Sequence, residues 1–292
     1  MRNPSEFLVI TPRSPLVQAV KLAKLGLTLA LTFGANAAAA AEPEAVRVLD
    51  WSSVAGIERL ERSRHKVDFF ALANHFESQT NRAFCGPTAA TIVLNALRVS
   101  DPNRPKPIDR SLLLEEDWKL MPPGVSPLFS RYTQNTFFST ETEQVKSRAQ
   151  VLGEPIEERR DGGLQLRQLH DMLEKLDLDV QLRVVDDALS VAEIRSELVA
   201  NLGRRDDYVI INYNRRVLGQ PGGGHISPLG AYDELSDSFL VLDVNPNRAP
   251  WGWIRTGDLA AAMRTFDRVE NRGYLLVRDR PLAPSSKPAR DG

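Results

Sequence analysis

The chain has 292 residues, with 37 Lys+Arg against 38 Asp+Glu, four histidines and one cysteine. A balanced charge without a basic surplus excludes an electrostatic nucleic-acid binder, and no long charge run points to a membrane surface. A single cysteine excludes a disulfide framework and a Cys-rich zinc or haem site, and His65, His75, His170 and His225 lack the spacing of a His metal cage.

Lys21 and Lys24 precede the apolar run Leu25–Phe33, and the small residues Ala35–Ala41 follow. That order is a secretory signal over residues 1–41, too short in its apolar part for a membrane span. Cleavage near Ala41 leaves 251 residues, 33 basic against 37 acidic, enough for one sizeable domain or two intimately packed lobes over 42–280. Residues 281–292 form a Pro/Ser-rich tail. The expected location is the bacterial periplasm, with no membrane contact after cleavage.

The lead-in Glu42–Ala71 carries one short strand, Val46–Trp51. Cys85-Gly-Pro87 then opens a helix: Ala89, Ile92, Val93, Ala96 and Leu97 repeat at the spacing of a buried face, and Pro87 is tolerated in a first turn. Ser100-Asp101-Pro102 ends it. Residues 103–150 read as irregular, with short helices. Leu164–Leu176 and Ser190–Leu202 read as helices, with the strand Val180–Val185 between them. The chain then turns to β. Tyr208–Tyr213 is an apolar strand, Gly219–Gly224 a glycine-rich turn, His225–Tyr232 a strand, Asp233–Asp237 a turn, and Ser238–Val244 its return strand. Gly273–Val277 is the last strand. Helices followed by an antiparallel sheet make an α+β fold.

Three residues converge on nucleophilic chemistry. Cys85 at a helix N-terminus has the dipole and free N–H groups that favour a thiolate. His225 is the candidate base and Asp243 the carboxylate that orients it. They lie on two strands of one hairpin, so they share a face only if the pairing register is even: His225 opposite Asp243, or one pair away. Gln79, six residues before Cys85, can supply an amide N–H beside the Cys85 backbone N–H as an oxyanion hole. His65, His75 and His170 are expected to be structural or exposed.

With these residues placed, the chain resembles the phytochelatin synthase family of the papain-like clan. One block runs from Phe69-Phe70 through Gln79-Thr-Asn-Arg-Ala-Phe-Cys85-Gly to Val93-Leu-Asn-Ala-Leu97. The other is Gly223-Gly-His225-Ile-Ser-Pro-Leu-Gly-Ala-Tyr232, then Leu242-Asp243-Val244. Asn135-Thr-Phe-Phe is similar to the short bacterial members.

The resemblance implies a papain-like fold, with a nucleophile helix in a helical lobe packed on an antiparallel β-sheet lobe. It implies glutathione as substrate: Cys85 forms a γ-glutamylcysteinyl thioester, glycine leaves, and the acyl group passes to water or to a second glutathione. Asn212 and Gly224 match positions lining the acyl pocket. Relatives carry a basic residue three positions after the aspartate; here that position is Pro246, and Arg248 stands two residues later as a substitute grip on a substrate carboxylate. The resemblance requires no cofactor and supplies no resident metal ligands, while cadmium or zinc can act as activators or as glutathione thiolate complexes. A homodimer is left open. The rival readings are a papain-like peptidase or amidase on another small γ-glutamyl or peptide substrate, and a non-catalytic binding protein of the same fold.

Overall fold

The computed structural model describes residues 47–156 and 159–281; the expected signal and nearly all of the expected tail lie outside them. The described chain opens with β1 (Val48–Asp50), α1 (Val54–Arg62) and α2 (Val67–Asn74), then α3 (Cys85–Arg98). The expected lead-in therefore holds two helices beside its strand. The long irregular stretch contains α4 (Glu115–Trp118) and α5 (Arg148–Leu152). A two-stranded ribbon of β2 (Pro155–Ile156) and β3 (Arg159–Arg160) follows, then α6 (Leu166–Lys175), β4 (Leu178–Val184) and α7 (Val191–Leu202). The β half comprises β5 (Asp207–Asn214), β6 (Gly224–Asp233), β7 (Ser238–Val241) and β8 (Gly252–Arg255). After α8 (Thr256–Met263), the chain ends in the small hairpin β9 (Phe266–Asp267) and β10 (Glu270–Asn271), and in β11 (Gly273–Asp279).

Seven strands form one antiparallel sheet in the order β1-β8-β7-β6-β5-β11-β4. The alternation along β5 explains its two faces. Tyr208 and Ile210 point into a core shared with α2, α3 and α6, whereas Val209, Ile211 and Tyr213 point into a second core under α7 and α8. The α+β class and the packing of the nucleophile helix on the sheet are as expected. The halves are less separate than the sequence order suggests, because α7 and α8 cover the far face of the same sheet.

The hairpin register carries an irregularity. Next to the turn, Asp233 pairs with Ser238, Tyr232 with Phe239 and Ala231 with Leu240. That register is odd and would put His225 and Asp243 on opposite faces. A β-bulge skips Gly230, after which Leu229 pairs with Val241. The even register is restored, with Asp243 one pair from His225. Core membership records the shift: Ile226 and Ala231 share one face, while Leu229 and Tyr232 share the other. A Cβ at Gly230 would stand 3.1 Å from Leu242, so the bulge closes tightly against the return strand.

Candidate active site

α3 needs no unusual device to present Cys85. Its first turn contains Pro87, whose missing N–H costs nothing there. Thr88 bonds from its hydroxyl to the Phe84 carbonyl at 2.7 Å, fixing the helix start. Farther along, buried Asn95 exchanges two 2.9 Å hydrogen bonds with the backbone of Tyr132, anchoring the helix to the long irregular segment. The loop before Cys85 is braced by Gln134, whose carbonyl oxygen accepts from both the amide and the hydroxyl of Thr80 and whose amide donates to the Ser78 carbonyl. Gln79 N donates to the Val244 carbonyl at 2.8 Å, which ties the nucleophile loop to the residue after Asp243.

The three expected residues come together. His225 Nε2 lies 3.0 Å from Asp243 Oδ1, which leaves Nδ1 free, and Cys85 lines the same cavity as His225. Burial pushes the Cys85 thiol up. The hydrogen bond and charge of His225, and the amides of Ile226 and Gly86, outweigh burial and hold the thiol below its ordinary value. Burial alone would lower His225; hydrogen bonds to Asp243 and Cys85 and the charges of both raise it instead. Both shifts favour a thiolate beside an imidazolium.

Asp243 is almost fully buried and satisfied on every side. Tyr213 donates its hydroxyl at 3.1 Å, the Asn245 amide donates at 2.8 Å, and Arg215 Nη2 reaches both oxygens at 2.6 Å. Tyr213 also stands edge-on to the His225 ring, with centroids 5.7 Å apart. Arg215 and Tyr213 were not singled out from the sequence. The available signal was an arginine pair directly after a buried strand and just before the glycine turn that ends at His225.

Cys85 and His225 open into a cavity of about 520 Å³ whose walls include Asn212, Gly224, the loop Gly162–Gln165 and the hairpin residues Phe266–Arg268. Asn212 and Gly224 line it as expected. Asn212 donates to Asp267 at 3.0 Å, and Asp267 is bridged at 2.9 Å by Arg272. A Cβ at Gly224 would come within 2.8 Å of the Arg272 guanidinium, so this glycine makes room for the arginine. Arg82, Arg268 and Arg272 line the cavity; Arg272 is paired with Asp267 and Arg268 with Asp161, so Arg82 leaves a cationic surplus. The segment 265–272 is remote in sequence and showed no motif, so Asp267 and Arg272 were missed.

The expectation for Arg248 needs correction. Arg248 is exposed and lines a different groove, with Arg47, Asp50 and Gln220. The turn in which Arg248 and Ala249 both donate to the Asn245 carbonyl carries the chain away from the cavity. Gln79 is buried, but its amide donates to the Asn81 carbonyl at 2.6 Å and it is not among the cavity-lining residues. The short reach to Asn81 satisfies that N–H locally. Of the other histidines, His65 contacts Glu234 and His75 contacts Asn74, while His170 does have partners: it converges with Asp171 and Glu174 on the partly exposed face of α6. No ion is called for there by any further feature.

An α+β scaffold that places a cysteine at a helix N-terminus beside a carboxylate-bonded histidine has the arrangement that nucleophilic cysteine chemistry requires. The chain belongs to the phytochelatin synthase family, whose profile matches residues 43–115 and 122–274; the interruption falls at α4. Among curated relatives, glutathione gamma-glutamylcysteinyltransferase 3 of Lotus japonicus is 27% identical over 223 residues, covering 74% of this chain and 39% of the relative. The Triticum aestivum glutathione gamma-glutamylcysteinyltransferase 1 is 28% identical over 74% of this chain and 37% of its own, and the Schizosaccharomyces pombe enzyme 24% identical over 72% and 43%. The chain thus spans about two-fifths of the length of these relatives. Among solved structures, the peptidase domain of Streptococcus ComA aligns with 70% of this chain and 98% of its own at a TM-score of 0.37 and 11% identity. Xylellain, a cysteine protease from Xylella fastidiosa, aligns with 82% and 94% at 0.36 and 11%.

Proposed function

We propose that this chain transfers the γ-glutamylcysteinyl group of glutathione through a thioester on Cys85. The carrying observation is the Asp243-bonded His225 beside Cys85 at the end of a cationic cavity. Glutathione offers two carboxylates and one ammonium. The cavity arginines suit the carboxylates, and Asp267 offers the ammonium its counter-charge.

The steps balance on residues of the chain. His225 Nδ1 takes the Cys85 proton, and the thiolate adds to the carbonyl of the Cys–Gly peptide bond. The oxyanion is met by the Cys85 amide and by Gln79, once its side chain leaves Asn81. The C–N bond breaks, and the imidazolium gives its proton to the departing glycine amine. Water or the amine of a second glutathione then attacks the thioester, His225 takes its proton, and the thiolate leaves. Cadmium or zinc enters this scheme as an activator or a thiolate complex of the substrate. The leader-like residues 1–41 support export, so periplasmic glutathione is the substrate pool we favour.

The test is incubation of the protein with glutathione, with and without cadmium or zinc, followed by mass spectrometry. Glycine with γ-Glu-Cys is the hydrolytic outcome, and longer γ-Glu-Cys oligomers the transfer outcome. Unchanged glutathione over intact, reduced Cys85 sinks the proposal. Cys85→Ala should abolish turnover and leave the circular dichroism unchanged.

A further inference from the structure

The reactive form of this site is a thiolate beside an imidazolium, a pair with no net charge. A neutral orienting group would leave it so. Asp243 instead brings a full negative charge into a pocket that is closed to water on that side, and an isolated buried charge is costly. The structure supplies a cation at that point. Arg215 is itself about 3% exposed, and its Nη2 sits 2.6 Å from both Asp243 oxygens.

We propose that Arg215 is a positioning residue that offsets the charge of Asp243, so that the Cys85 thiolate and His225 imidazolium form within a quartet of zero net charge. The assignment rests on the reading of Cys85 as nucleophile, but not on the identity of the substrate.

The backbone supports a positioning role as well. Arg215 N donates to the Gly223 carbonyl at 3.0 Å, and Gln220 N donates to the Arg215 carbonyl at 3.0 Å. One residue therefore holds the glycine turn that ends at His225 with its main chain, and the carboxylate that orients His225 with its side chain. Its Nε is buried without a partner, so the guanidinium is committed to Asp243 at some cost in unmet hydrogen bonding.

The other groups facing the quartet do not supply this balance. Tyr213 is held well above its ordinary value by burial and by Asp243, and acts as a neutral donor. Arg82, Asp267, Arg268 and Arg272 face the cavity; Arg272 is bonded to Asp267 and Arg268 is paired with Asp161.

Charge balance makes a signed prediction. Removing a cation makes each proton loss nearby harder, and removing an anion makes it easier. Cys85 is the only cysteine, so its alkylation by iodoacetamide against pH reads the site directly and needs no substrate. In Arg215→Met the midpoint of that profile should move up by about one pH unit. In Asp243→Asn it should move down, and in the double variant return close to the wild type. Arg215→Lys should keep the wild-type midpoint while losing rate. An unmoved midpoint in Arg215→Met, or an equal shift in Arg215→Lys, overturns the proposal. Should Arg215→Met fail to fold by circular dichroism, the double variant leaves neither charge alone and carries the test: a midpoint far from the wild type refutes charge balance. Because the readout is alkylation, failure here is distinct from failure to process glutathione.

Discussion

Asp68 and Asp243 are both buried against the central sheet, and their surroundings are opposite. Asp243, at the end of the β6–β7 hairpin, has His225, Arg215, Tyr213 and the Asn245 amide as partners. Asp68, in the first turn of α2, is about 1% exposed, and neither of its oxygens has a hydrogen-bond partner among the described residues. Burial, with Asp207 and Asp206 nearby, pushes Asp68 up to about 8. The difference teaches that burial alone makes a carboxyl group a neutral filler. A carboxylate that works in catalysis is recognised by the donors gathered around it.

The largest test of this contrast is Asp243→Asn, which should lower kcat/KM on the order of 1,000-fold while the protein stays folded. A loss under tenfold would reduce Asp243 to the status of Asp68. Next, Gln79→Ala should lower kcat on the order of 100-fold with little change in KM, the signature of a donor used in the transition state. Equal changes in both would give Gln79 a binding role. Gly230→Ala crowds Leu242 at the bulge and shifts the strand that carries Asp243. It should cost about 1–3 kcal/mol in urea unfolding and lower kcat about tenfold.

Asp68→Asn should leave the rate unchanged and act on stability alone. The native carboxyl stays protonated up to about pH 8, whereas the unfolded one ionises near its ordinary value. Wild-type stability is therefore fully present below that ordinary value and is lost as pH rises toward 8. The variant lacks this loss, so its advantage in urea midpoint should be smallest at pH 4 and grow toward pH 8. A pH-independent difference would refute the assignment. Last, Arg248→Ala should change kcat/KM less than about twofold, as a single exposed side chain outside the cavity allows.

Much of this site could be read from the sequence because its parts are local. Cys85 at a helix start follows from apolar periodicity around Pro87, and His225 with Asp243 from two strands and a turn. What escaped was non-local. Arg215 becomes meaningful only when β5 and β6 lie side by side, with Tyr213 opposite His225. Asp267 and Arg272 enter from a hairpin about forty residues beyond His225 in sequence. The bulge had a visible sign: Pro228 and Gly230 interrupt the strand, and both residue types mark bulges in strand interiors. Arg248 was misplaced because counting positions after Asp243 assumes an extended path, and the chain turns at Asn245.

The Gly230 bulge also sets a parity rule for this protein's tolerance to length changes. Loss of Gly230 itself would straighten the ladder while Leu229 still pairs with Val241, so His225 and Asp243 would keep a common face. With the bulge retained, a one-residue slide of the return strand would separate those faces, whereas a two-residue slide would preserve them. Insertional scanning of this hairpin should therefore separate folding from catalysis according to whether the bulge absorbs the change.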